Sequence, residues 1–167
     1  RKNIALVQQE VFLFSDTLMN NITLFDKSIK EEEVILAAKE IGVHQFISSL
    51  PNNYGYVVGE RGVTLSTGQR QLIAFLRVYV RNPKILILDE ATSSIDSATE
   101  ELLQNALAKL AENRTTIVIA HRLSTIMDAN KIVHLQDGKV LEEGTHEELL
   151  SRGSHYADMF GRQTQDI

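Results

Sequence analysis

No cysteine occurs in the 167 residues, so disulfide frameworks, thiolate metal sites and cysteine nucleophiles are all excluded. Long apolar runs are missing too. The fullest, such as Val34-Ile35-Leu36-Ala37-Ala38, fall far short of the roughly 18 residues that suggest a membrane span. Basic residues are outnumbered, 17 Lys and Arg against 22 Asp and Glu. The net charge of −5 speaks against a chain that grips nucleic acid through its phosphates. The N-terminus does not resemble a signal peptide, and there is no internal repeat or low-complexity segment. Glycines stand at 42, 55, 59, 62, 68, 138, 144, 153 and 161. None completes G-x-x-x-x-G-K-S/T and no two are spaced G-x-G, so the sequence has no phosphate-cradling loop and no loop lysine.

What remains is a globular composition, 43% hydrophobic and 23% charged, with a mean hydropathy of −0.11. The length suits one ordinary domain and barely two. A reducing, cytoplasmic compartment is the plain reading. There is no initiator Met, and Arg1-Lys2-Asn3-Ile4-Ala5-Leu6-Val7 turns apolar almost at once. That opening reads as a strand cut from a longer polypeptide.

Helix starts are legible. Ser28-Ile29-Lys30-Glu31, Ser97-Ala98-Thr99-Glu100 and Thr145-His146-Glu147-Glu148 each fit the S/T-x-x-E capping box. Leu102, Leu103, Ala106, Leu107 and Leu110 fall on one face, which predicts an amphipathic helix over 98–112. The runs 85–88 and 116–119 are continuous and apolar, the pattern of parallel strands buried on both faces. They bracket that helix, so 85–119 is a strand–helix–strand unit with a right-handed crossover. Segments 131–136 and 139–143 flank Asp137-Gly138, a strong hairpin signal. From about residue 16 to 80 the chain reads as helices, at 17–23, 29–41, 43–49 and 68–80. This is a helical insert, with the α/β pattern resuming at Pro83.

Two segments carry chemistry. Asp89 and Glu90 follow the apolar run 85–88, where open α/β sheets place their ligands. The plain reading is a strand that ends in a polar loop. The functional one makes Asp89 a magnesium partner and Glu90 a base acting on water at a triphosphate. In Leu65-Ser66-Thr67-Gly68-Gln69-Arg70-Gln71, Ser66 and Gln69 can form one more capping box. The same helix start, with free N–H groups and a Ser hydroxyl, is equally a ready anion site. Taken alone, neither segment decides between its readings.

Their order along the chain does. Residues 65–69 precede Ile85-Leu86-Ile87-Leu88-Asp89-Glu90, then Ser93-Ser94-Ile95-Asp96, and after one helix and one strand Ile119-Ala120-His121-Arg122. This succession resembles the nucleotide-binding domain of ABC transporters. Residues 65–69 look like the LSGGQ signature, 85–90 like Walker B with its catalytic glutamate, and 93–96 like the D-loop. His121 looks like the switch histidine, and Val7-Gln8-Gln9-Glu10 resembles the Q-loop with Gln9 as its glutamine. Val58-Gly59-Glu60-Arg61-Gly62 resembles the exporter X-loop. The implied fold is a partial P-loop NTPase (ABC ATPase) α/β fold. Residues 1–10 would be a core strand and the start of the Q-loop, 11–82 a helical signature subdomain, and 83–167 the C-terminal part of the ATPase core.

The resemblance implies ATP and Mg²⁺ as cofactors, with ATP hydrolysis coupled to a transmembrane domain at the cytoplasmic side of a membrane. Two nucleotide-binding domains would sandwich ATP head to tail. Glu90 would polarise the attacking water, and His121 would hold the γ-phosphate and that glutamate in register. Asp89 would hold magnesium largely through water, and Gln9 would reach metal and water. Ser66, Thr67, Gly68 and Gln69 would act in trans on the partner's ATP, and Asp96 would lie at the dimer interface. With the P-loop missing, the chain reads as a C-terminal portion of such a domain, inactive alone. The alternatives are a soluble ABC ATPase without a membrane partner, and a non-catalytic half that supplies the signature in trans. Thr67 departs from the family's glycine. Among exporters this suits one half of an asymmetric heterodimer, or a homodimer that tolerates Thr. The histidines at 44, 134, 146 and 155 have no ligand spacing and read as packing or surface residues, and Tyr54, Tyr56 and Tyr79 read as packing.

Overall fold

A computed structural model describes residues 3–59, 62–89, 96–120 and 126–165. The chain divides into two compact units, Arg1–Ile119 and Ala120–Ile167. In the first unit the order is β1 (Ile4–Val7), α1 (Leu18–Thr23), α2 (Glu31–Glu40), α3 (His44–Ser48), a 3₁₀ turn (Asn53–Gly55), α4 (Thr67–Arg81), β2 (Ile85–Asp89), α5 (Ser97–Ala111) and β3 (Thr115–Ile119). The expected helices and strands are all present, with ends moved by one or two residues.

The three strands form a parallel sheet in the order β1-β2-β3, with Ile4 level with Ile85 and Thr115, and Leu6 level with Ile87 and Ile117. Parallel neighbours need long crossovers. The first is the helical segment between β1 and β2, and the second is α5. One sheet face, with Val7, Leu86 and Leu88, joins the buried core. The other does not: Ile4, Leu6, Ile117 and Ile119 are each 52–54% exposed. Burial on both faces, expected from the continuous apolar runs, is therefore not found here. Among the described residues, helices of this unit cover one side only.

The core is organised by α4, which buries Leu72, Ile73, Phe75 and Leu76 among Leu18 and Ile22 of α1, Val34 and Ala38 of α2, and Leu103, Ala106 and Leu110 of α5. Truncating a fully buried leucine such as Leu76 to alanine costs about 2–5 kcal/mol in cores of this kind. His44 is engaged by Tyr54 (2.9 Å), a packing role. Burial pushes the Tyr54 hydroxyl up to about 12.

The second unit is a hairpin of β4 (Ile132–Gln136) and β5 (Lys139–Gly144), followed by α6 (His146–Arg152) and α7 (His155–Gln165). Asp137 and Gly138 both take positive φ (49° and 73°), as the twist of a two-residue hairpin turn requires. Glu142 of β5 accepts the N–H groups of His155 and Tyr156 (3.0 and 3.2 Å) and so caps α7 from the hairpin. No described helix is long and apolar enough to cross a membrane.

Of the capping boxes, Ser66 with Gln69 and Thr145 with Glu148 form as expected. The other two do not. Asp96, one residue before Ser97, caps α5 by accepting from the Thr99 N–H at 2.9 Å, because its carboxylate sits at the better position. Ser28 is held instead by Asp26, which accepts from its N–H and hydroxyl (3.0 and 2.6 Å). Helix α2 therefore starts after Lys30, whose N–H donates to Glu33 at 3.3 Å.

Candidate active site

Parallel strands end together, and the side chains just beyond their ends share one edge. Val7 is level with Leu88, and Asp89 with Ile119. That edge therefore collects Gln9, exposed two residues past β1, and Asp89, half-buried as the last residue of β2. Glu90, residues 93–95 and His121 lie outside the described residues. Among the described residues no group of three or more His, Asp or Glu could hold a metal by itself. A carboxylate and an amide oxygen at one strand edge fit Mg²⁺, which keeps several waters and shares its remaining positions with phosphate oxygens.

The second part of the site is the start of α4. Ser66 Oγ accepts from the Gln69 N–H (3.2 Å), and Gln69 Oε1 accepts from the Ser66 N–H (2.9 Å). The capping reading is thus correct, and it leaves the anion reading intact. The N–H groups of Thr67 and Gly68 have no intrahelical acceptor, and the Ser66 hydroxyl keeps its hydrogen to donate. Ser66 and Thr67 are exposed, Gln69 is half-buried and Gly68 is buried. A 15-residue helix adds the positive end of its dipole there.

Asp96 is exposed and holds the α5 start; the Thr99 N–H bond keeps its carboxyl below the usual range. Its carboxylate is structurally engaged in the cap, a use that the sequence pattern did not reveal.

Sequence reasoning also missed the residues that shape the exit of the Gln9 loop. Asn21 is fully buried. Its Oδ1 accepts from the Phe14 N–H (2.8 Å), and its Nδ2 donates to the carbonyls of Phe14 and Thr17 (both 3.0 Å) and, more loosely, Asp16 (3.4 Å). From α4, Arg77 donates to the carbonyl of Asn21 (2.9 Å) and Arg81 to that of Thr23 (2.6 Å). Both guanidinium groups thus meet the last carbonyls of α1, where cations are favoured. Burial, and then the charge of Arg81, bring Arg77 down to about 10. The signal for Asn21 was available: its spacing from Leu18 and neighbour Ile22 puts it on the apolar stripe.

Beside this clasp, Leu24 and Phe25 both adopt left-handed φ (51° and 61°), which is rare for bulky residues. Phe14 packs edge-on against Phe12 (5.1 Å) and Phe25 (5.7 Å), and all three rings stay 42–58% exposed. The result is an aromatic patch next to the loop that carries Gln9.

The ABC transporter family profile matches residues 1–93. A Streptococcus pneumoniae protein provisionally named an ABC transporter ATP-binding protein is 53% identical over 98% of this chain and 28% of its own length. A Staphylococcus aureus protein provisionally named a multidrug export ATP-binding/permease protein is 48% identical over the same shares. The solved structure of a bacterial Atm1-family ABC exporter with ATP bound superposes with a TM-score of 0.87 at 43% identity, over 98% of this chain and 28% of that one. The chain thus spans less than a third of the length of these relatives. It has part of the P-loop NTPase fold of ABC ATPases, with a parallel sheet and its crossover helices. With sequence, strand edge and helix start in agreement, the chain belongs to the ABC transporter family, among the ATP-binding domains of its exporter-type members.

Proposed function

We propose that this chain carries the hydrolytic edge and the signature helix of an exporter ATPase whose phosphate-cradling loop comes from outside these 167 residues. The greater length of the relatives supports this, together with the absence of any G-x-x-x-x-G-K-S/T. Residues 1–10 serve as core strand and start of the Q-loop, 11–82 as the helical signature subdomain, and 83–167 as the rest of the ATPase core.

The observation that carries the reading is the strand edge with Asp89 and Gln9 on the same chain as the open helix start at Ser66. In cis, Glu90 takes a proton from the attacking water, and His121 donates toward the γ-phosphate and orients Glu90. Asp89 and Gln9 offer oxygens for Mg²⁺, which when bound neutralises charge on the β- and γ-phosphates. In trans, the hydroxyl of Ser66, the free N–H groups of Thr67 and Gly68, and Gln69 contact ATP held by a second nucleotide-binding domain, with Asp96 at the interface between the two. The exposed rings of Phe12, Phe14 and Phe25, which pack together after the loop that carries Gln9, form the surface for the transmembrane domain. Through it the chain works at the cytoplasmic face of a membrane, with no role for nucleic acid. The second nucleotide-binding domain is a copy of this one or a different chain with a degenerate cis set.

The reading is tested on the full-length transporter in lipid vesicles, where Asp89→Asn should lower ATP turnover by about 10²-fold or more, the scale of losing a preorganised electrostatic group. Turnover within a factor of a few of the unmodified protein refutes the assignment. The 167 residues alone should bind ATP too weakly for calorimetry at micromolar concentration; a micromolar affinity for the monomer would show that the missing loop is not needed.

A further inference from the structure

We propose that Arg70 is a positioning residue for the nucleotide contact made by residues 66–69, acting through Thr67; this rests on reading 65–69 as the signature. Arg70 sits one residue beyond that segment, and among the described residues no carboxylate lies within ion-pair distance of it. Its guanidinium goes to uncharged oxygens instead. Nη1 donates to the carbonyl of Leu65 (2.8 Å) and, more weakly, of Gly62 (3.4 Å), and Nη2 donates to Thr67 Oγ1 (3.1 Å).

The preceding loop is built to accept this side chain. Gly62 is buried, has φ +75°, and a Cβ there would stand 2.9 Å from Arg70 Cδ and 3.3 Å from a methyl of Leu13. Leu65 is 3% exposed, and its N–H donates to the Gly62 carbonyl at 3.0 Å. The loop therefore wraps the Arg70 stem, and one planar fork reaches three oxygens on both sides of Ser66. Lysine, a single point charge, lacks that geometry.

Thr67 supplies the third of these oxygens. A glycine at this position would leave the guanidinium with backbone carbonyls alone. The β-branched side chain restricts the first turn of α4, and the bond to Arg70 fixes which way it is restricted. The Thr67 departure from the signature pattern thus ties the turn that faces the nucleotide to the loop before it. A held turn presents its N–H groups without first ordering them, which strengthens binding.

The test uses ATP turnover by the full-length transporter with Ser66→Arg, Arg70→Lys, Thr67→Val and the double variant Arg70→Lys/Thr67→Val. Arg70→Lys and Thr67→Val should each raise KM for ATP by about tenfold, the scale of one charge-assisted hydrogen bond, with kcat at saturating ATP within about a factor of two. The double variant should be no worse than the poorer single one, because both remove one tie. Ser66→Arg blocks the helix start itself and should abolish turnover. If Ser66→Arg leaves turnover intact, the signature reading falls, whatever Arg70 does. If Ser66→Arg abolishes turnover while the two single variants keep KM within twofold, or the double variant is fully additive, the Arg70 proposal alone is overturned.

Discussion

Glu90→Gln in the full-length transporter should cut ATP turnover by about 10²–10⁴-fold, or roughly 2.7–5.5 kcal/mol of barrier, the range typical of a positioned general base. The exchange keeps size and polarity and removes only the ability to take a proton. ATP binding should survive, so the two nucleotide-binding domains should stay closed around unhydrolysed nucleotide. Rapid-quench measurement of the first turnover, alongside retention of labelled ATP on the purified protein, separates the two effects. Asp89 ends the middle strand of the sheet, at the edge where open α/β sheets place their ligands. A variant that keeps more than about a tenth of the rate would remove Glu90 from the role of base.

Asn21→Ala should destabilise the chain by about 2–4 kcal/mol, because the N–H and carbonyl of Phe14 both lose their partner, the fully buried Asn21. Asn21→Asp is the informative companion. It keeps an acceptor for the Phe14 N–H but turns a carboxylate toward the carbonyls of Phe14, Asp16 and Thr17. Its loss should equal or exceed that of alanine, although the side chains have nearly the same shape. Urea unfolding of the 167-residue chain reads both. A loss under about 1 kcal/mol for Asn21→Ala would mean that the segment after Gln9 is not clasped as described.

These two positions differ in how far sequence alone reaches them. Glu90 is an expectation that the sequence supplies through the apolar run 85–88 and the fixed order of the surrounding motifs, and it lies outside the described residues. Asn21 is not legible in this way, because a polar residue on an apolar stripe reveals burial but not which backbone groups it meets up to seven residues earlier in the chain. The same limit explains the caps. Ser66 and Gln69 face no competitor, whereas Ser97 follows an aspartate and Ser28 lies two residues after one, and in each case the carboxylate took the backbone or hydroxyl donor. Arg70 was visible as a letter only. Its meaning depends on a loop glycine eight positions earlier with positive φ. Continuous apolar runs predicted strands correctly and misjudged their surroundings, since a run reports affinity for a core without saying how many layers this unit places around it.

The uncovered sheet face has a calorimetric consequence. Ile4, Leu6, Ile117 and Ile119 keep about half of their surface in water when folded, so that area cancels when the chain unfolds. Apolar exposure is what raises heat capacity on unfolding. The increment for these residues should therefore fall below the roughly 12–15 cal/mol/K per residue of domains closed on both sides, and the urea dependence should be shallower as well. A smaller increment flattens the curve of stability against temperature. Chilling should consequently weaken this chain less than it weakens a fully enclosed domain of the same length.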